Sequence, residues 1–209
     1  MIALLLVGLV LTLQFTPSYT SEVCWITLSH SRVGGVLKPY ERVFKVWSTR
    51  AIELEVEDYK RTIIDYYLMA RDSILRNRLE DASIELAVMM TLILKAKGVD
   101  EDMALRILDI VRRMDWGRVR LSDSPVGELI DEWLDYTPKS LEDLAYKYAS
   151  VCLSILDRMP VDSFVRVMFT PILREMYIAG LVAIVVTCSY FVVKRVKVEA
   201  EGVRYEGYR

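Results

Sequence analysis

A single histidine among 209 residues removes most of the common catalytic designs. His30 stands between Ser29 and Ser31, but a base and a nucleophile adjacent in sequence rarely face one another, and no third group is spaced to orient the ring. Cys24, Cys152 and Cys188 are the only cysteines, and with one histidine they do not provide the clustered ligands a zinc site requires. Gly34-Gly35 lacks the lysine and following hydroxyl residue of a phosphate-binding loop. The sequence therefore assigns no catalytic, cofactor-binding or metal-ligating residue.

Charge of one sign is missing too. The chain carries 27 Lys and Arg against 29 Asp and Glu, a net charge of −2. Residues 21–175 hold 22 basic and 26 acidic side chains, net −4, and residues 194–209 hold 5 and 3, net +2. A mixed-sign, mildly acidic domain offers no continuous basic face for phosphates, so nucleic acid is not an expected partner. With 9 glycines, 6 prolines and no low-complexity run or internal repeat, disorder and solenoid folds are excluded as well.

What the chain does have is residues 176–193, eighteen positions without a charge, followed at once by Lys194, Arg195 and Lys197. As a helix this stretch covers about 27 Å, close to the ~30 Å hydrocarbon core of a bilayer. Tyr177 and Tyr190 lie near its ends, where amphipathic rings favour the headgroup region. The three basic residues read as a stop-transfer signal, and positive flanks stay in the cytoplasm. This predicts a C-terminal transmembrane helix at 176–193, a cytoplasmic tail at 194–209, and an extracytoplasmic domain at 21–175.

Residues 1–15 are apolar and stop at Thr16-Pro17, where proline ends a helix. Residues 1–20 therefore read as a signal peptide or an N-terminal hydrophobic anchor. Small residues at Thr16 and Ser18, or at Ser18 and Thr20, supply the cleavage pattern, although the segment has no basic residue of its own. Both alternatives leave 21–175 on the outer side, where Cys24 and Cys152 could form a disulfide; the competing reading makes Cys152 a small apolar residue on a helix stripe.

Within 21–175 the periodicity is mostly helical, giving five or six helices in a bundle-like array. Residues 24–28 suggest a short strand broken by Gly34-Gly35, and 52–57 alternate apolar residues with glutamates but suit a helix better. From Asp58 the pattern sharpens: Ile63, Ile64, Tyr67, Leu68, Ile74 and Leu75 share one helical face, and residues 86–94 are almost wholly apolar. That run is too short for a membrane and reads as a core helix, with Lys95 and Lys97 near its carboxyl end and Gly98 as its cap. Asp100 caps the next helix, which carries Ala104, Ile107, Leu108, Val111 and Met114 and closes at Gly117. Val126, Leu129, Ile130, Trp133 and Leu134 fit the amphipathic template, and Ser140 with Asp143 resembles a capping box before a stripe from Leu141 to Met159.

Opposite the apolar stripe of the 126–134 helix lie Glu128, Asp131, Glu132 and Asp135, a carboxylate surface that could serve acid/base chemistry or bind a basic partner, and that a solvated face explains better, since these positions lie opposite the apolar stripe. The resulting expectation is a single-pass membrane protein whose exported helical domain is a protein-interaction or assembly module. Its partners are membrane lipid and another membrane or extracytoplasmic protein. The alternative is a membrane-tethered hydrolase using the 128–135 carboxylates. The chain is expected to remain in the pellet when membranes are washed with alkaline carbonate; its appearance in the supernatant would contradict the 176–193 span.

Overall fold

In the computed structural model of this chain, residues 17–161 are described, and they fall within one of two compact units that divide after Val161. The expected hydrophobic segment through residue 16, the 176–193 span, Cys188 and the stop-transfer residues Lys194, Arg195 and Lys197 lie outside the described residues. Among the described residues the secondary structure is helical throughout, without strands, and no helix is long and apolar enough to cross a membrane.

The α-helices are α1 (Tyr19–Ser29), α2 (Arg32–Leu37), α3 (Glu41–Ala51), α4 (Tyr59–Leu75), α5 (Leu79–Lys95), α6 (Glu101–Arg113), α7 (Val126–Asp135) and α8 (Leu141–Leu156). Single 3-10 turns at Lys38–Tyr40 and Trp116–Arg118 complete the set. Most α-helix starts carry a side-chain cap. Asp58 accepts from Arg61 N–H at 3.0 Å, Asp100 from Met103 N–H at 2.8 Å, and Ser140 from Asp143 N–H at 3.1 Å, satisfying amide donors that the first helical turn leaves without intrahelical partners. The last of these departs from a capping box, because Asp143 reaches back to Lys139 N–H at 2.8 Å and not to its own cap residue. Turns between helices use left-handed residues, Asn77 (φ 59°) between α4 and α5 and Gly98 (φ 66°) after α5.

The centre of the bundle is α5. Residues 86–94 are all buried, and α5 packs against α3, α4, α1 and α8. Its carboxyl end is fastened by side chains. The Trp133 indole N–H donates to the Ile93 carbonyl at 2.7 Å, a group outside the local turn bonds of that helix end. Lys95 donates to the Ile52 carbonyl at 2.7 Å and also to that of Leu54, while Lys97 donates to Leu134 and Tyr136 carbonyls at 2.8 and 2.6 Å. The two lysines thus cap the carboxyl ends of α3 and α7, where cations are favoured by the helix dipole.

The second organising element is α1, where the sequence suggests a strand at 24–28 and the structure forms a helix. Ser18 caps it by accepting from Ser21 N–H at 3.1 Å, so the expected boundary between residues 20 and 21 falls inside its first turn. Val23, Cys24, Trp25 and Leu28 are buried together with Thr20, Ser21 and Thr27, because α3, α5, α6 and α8 surround it. Thr27 satisfies its hydroxyl by bonding back to the Val23 carbonyl at 2.9 Å. At its amino end, Tyr19 N–H and the Thr20 hydroxyl both donate to the Glu101 carboxylate at 2.8 Å; at its carboxyl end, His30 stacks on Trp116 with centroids 3.8 Å apart. Glu101 begins α6 and Trp116 follows it, so α1 and α6 run parallel. Gly34 is required where α2 turns against α1, since a Cβ there would lie 2.2 Å from the Leu28 carbonyl oxygen.

Three further expectations are corrected. Residues 52–57 are not helical: α3 stops at Ala51, and Ile52, Glu53 and Leu54 close a turn whose carbonyls Lys95 takes. Leu68 and Leu75, placed by periodicity on the core face of α4, are half exposed at 50% and 51%. The helix at Asp100 ends at Arg113, before Gly117, because Met114 turns extended (ψ 135°) and folds its side chain back into the core.

Replacing Trp133 by Phe removes the donor to Ile93 and is expected to destabilise the domain by about 1–3 kcal/mol, read as a lower denaturant midpoint with an unchanged slope. An unchanged midpoint would show that this bond does not secure the end of α5.

Candidate interaction surface and buried polar chain

The acidic residues of α7 are not gathered into a site. Glu128, Glu132 and Asp135 are exposed and Asp131 is partly so. Asp131 pairs with Lys60 at 2.7 Å and Glu132 with Lys147 at 3.5 Å. Two open clefts lie elsewhere among the described residues: one is lined by Asp109, Arg113, Glu142 and Tyr146, another by residues 54–58 with Arg61, Thr62 and Tyr66. Neither includes a carboxylate of α7. Among the described residues no cluster of His, Cys, Asp or Glu could hold a metal ion. His30 is exposed, with Nδ1 2.8 Å from the Ile26 carbonyl, so its ring finishes α1.

Cys24 and Cys152 are buried free thiols, both adjacent to the Tyr148 hydroxyl. That hydroxyl lies 3.2 Å from Cys24 Sγ and 3.4 Å from the Met90 carbonyl oxygen. From Cys24 the chain of polar groups continues to the Thr91 hydroxyl at 3.9 Å and to Ser48 at 2.6 Å, linking α8, α1, α5 and α3 through the core. Burial pushes the Cys24 thiol up to about 11 and raises Cys152 and Tyr148 further above their ordinary values. At neutral pH all three stay protonated, which suits them to hydrogen bonding in the core and not to nucleophilic chemistry, since the thiolate is the reactive form.

The feature periodicity did not isolate is the outer side of α4. Leu68, Met69 and Leu75 are each about half exposed (50%, 49% and 51%). Leu68 and Leu75 stand two turns apart on one face, with half-buried Ile64 one turn before Leu68. Charges lie around and between them: Arg61 and Asp65 precede Leu68, Arg71 and Asp72 stand between the two leucines, and Arg76 follows Leu75, bonded to Asp72 at 3.0 Å. Asp65 has only a long 4.0 Å contact with Arg61. Beside this face, between α4 and α5, Ser73 Oγ and Glu85 Oε2 are buried next to each other without a hydrogen bond of ordinary geometry. Burial raises the Glu85 pKa, and Ser73 lowers it only in part. Single exposed apolar side chains are ordinary, and Tyr19, Trp47, Leu54, Leu105 and Leu121 are exposed elsewhere; Leu68 and Leu75 are the pair that share one face of a helix, with Met69 on its adjoining side.

No protein family, curated protein or solved structure matches the chain.

Glu85 gives a pH test of this region. Its folded pKa is raised, so the folded state binds more protons than the unfolded one between the two values, and stability falls as pH rises through that window. The Glu85→Gln variant is expected to be more stable than the parent at pH 7, by on the order of 0.5 kcal/mol, because the residue is only partly buried and solvent screens its charge. The difference should vanish once pH drops below about 4. Equal stability of parent and variant at every pH would contradict an unpaired carboxylate at this position.

Proposed function

We propose that the chain is a single-pass membrane protein whose extracytoplasmic helical domain, residues 21–175, serves as an interaction or assembly module of a membrane complex. The observation that carries this reading is the outer face of α4, where Leu68, Met69 and Leu75 stay half exposed although the helix is fixed to α5 along its other side. An apolar ridge of this kind on a rigid helix suits helix-to-helix docking. The topology rests on residues 176–193 and the basic residues Lys194, Arg195 and Lys197, which hold the domain outside and the tail in the cytoplasm.

The hydrolase alternative draws no support from α7. Catalytic carboxylates work as pairs whose surroundings push their pKa values apart, and here the acids are spread over solvent or neutralised by Lys60 and Lys147.

Affinity capture from detergent-solubilised membranes tests the module reading. The intact chain should come out with a stoichiometric protein partner, a second copy included. Leu68→Glu with Leu75→Glu should abolish that association while changing domain stability by less than about 0.5 kcal/mol, as expected of exposed positions. Recovery of a single unaccompanied chain from the parent protein would overturn the proposal.

A further inference from the structure

We infer that the apolar amino-terminal segment, residues 1–15, is kept in the mature protein and fastens the domain to the bilayer from its amino end. This goes beyond the module reading and owes nothing to the α4 face: it adds a second membrane attachment to the span at 176–193 and leaves the side on which the domain lies unchanged. A cleavable leader is dispensable to the protein it exports, so its cut lies ahead of the first residue on which the fold depends. The small-residue pairs, Thr16 with Ser18 and Ser18 with Thr20, place the cut after Ser18 or after Thr20. Between Phe15 and Ser18 stand only Thr16 and Pro17, and a cut after either puts Gln14 or Phe15 where a small residue belongs.

Both cuts fall among the residues that hold α1 in place. Ser18 Oγ accepts from Ser21 N–H at 3.1 Å, and the Ser18 carbonyl accepts from the Ser21 hydroxyl at 2.7 Å and from Glu22 N–H at 3.2 Å. Ser18 N–H donates to the Thr49 hydroxyl of α3 at 3.3 Å. Tyr19 N–H and the Thr20 hydroxyl reach the Glu101 carboxylate at the start of α6, each at 2.8 Å. Residues 18–20 thus join α1 to both α3 and α6. A cut after Thr20 removes every one of these bonds and leaves a new ammonium group on Ser21, a buried position at the positive end of the helix dipole. A cut after Ser18 lets the new ammonium of Tyr19 pair with Glu101, but it takes away the helix cap and strips the buried Ser21 hydroxyl of its acceptor. Neither leaves the start of α1 satisfied. Retention does, and it leaves fifteen residues without a charged side chain joined to the domain, a run that favours the bilayer over water.

The test uses the full chain, carrying a specific protease site inserted within residues 162–175, expressed in cells that process leaders and recovered with their membranes. Its intact mass should equal that of the whole sequence with the insert, less the initiator methionine at most. Once the inserted site is cut, the domain has lost its link to 176–193, and it should still stay in the pellet through an alkaline carbonate wash, which strips proteins held only by a partner. A chain shortened by more than the methionine, with its amino end at Tyr19, Ser21 or elsewhere, would overturn the inference. Release of the cut domain into the supernatant would overturn it as well. Neither readout depends on whether a partner occupies α4, so the module reading stands or falls separately, by the affinity capture.

Discussion

A helix buried on every side dictates the rest of this domain. Residues 86–94 of α5 expose nothing to solvent, so each neighbour must cover a different sector of the same cylinder, and the polar groups enclosed with it must find partners inside. Thr91 finds Ser48, and the Ile93 carbonyl finds the Trp133 indole. An unmatched buried polar group costs roughly 1–3 kcal/mol, so these bonds restrict which neighbours can stand where. Lys95 and Lys97 extend the restriction outward, because each ties the loose carbonyls of another helix to the end of α5.

The same constraint explains what could be read from the sequence. Helices with one wet face, α6, α7 and α8, show their stripes openly, and the caps at Asp100 and Ser140 lie where residue type and spacing put them. α1 hides because it has almost no wet face: Thr20, Ser21 and Thr27 are as buried as Val23 and Leu28, so no 3.6-residue contrast survives, and Trp25, Ile26 and Thr27 then mimic a strand. Residues 52–57 mislead for the opposite reason, since an exposed turn held by one lysine needs no periodic burial at all.

The exposed side of α4 was concealed inside a correct helix assignment. Ile63, Ile64, Tyr67, Leu68, Ile74 and Leu75 form an apolar arc wider than α5 can cover. The arc alone does not say which edge is left over. Only the packing of α4 shows that Ile63, Tyr67 and Ile74 enter the core while Leu68 and Leu75 stay outside. The acidic residues of α7 illustrate the converse: a chemically suggestive cluster becomes a solvated surface with two cross-helix ion pairs once its neighbours are in place.

Rigid display of α4 by a buried α5 is the central claim, and hydrogen exchange on the full chain in bilayers addresses both halves together. Amides of residues 86–94 are predicted to exchange most slowly in the domain, and residues 64–75 to exchange more slowly when the captured partner is bound, while α7 stays constant. Fast exchange across 86–94, or equal exchange of 64–75 with and without the partner, would contradict rigid display of that face.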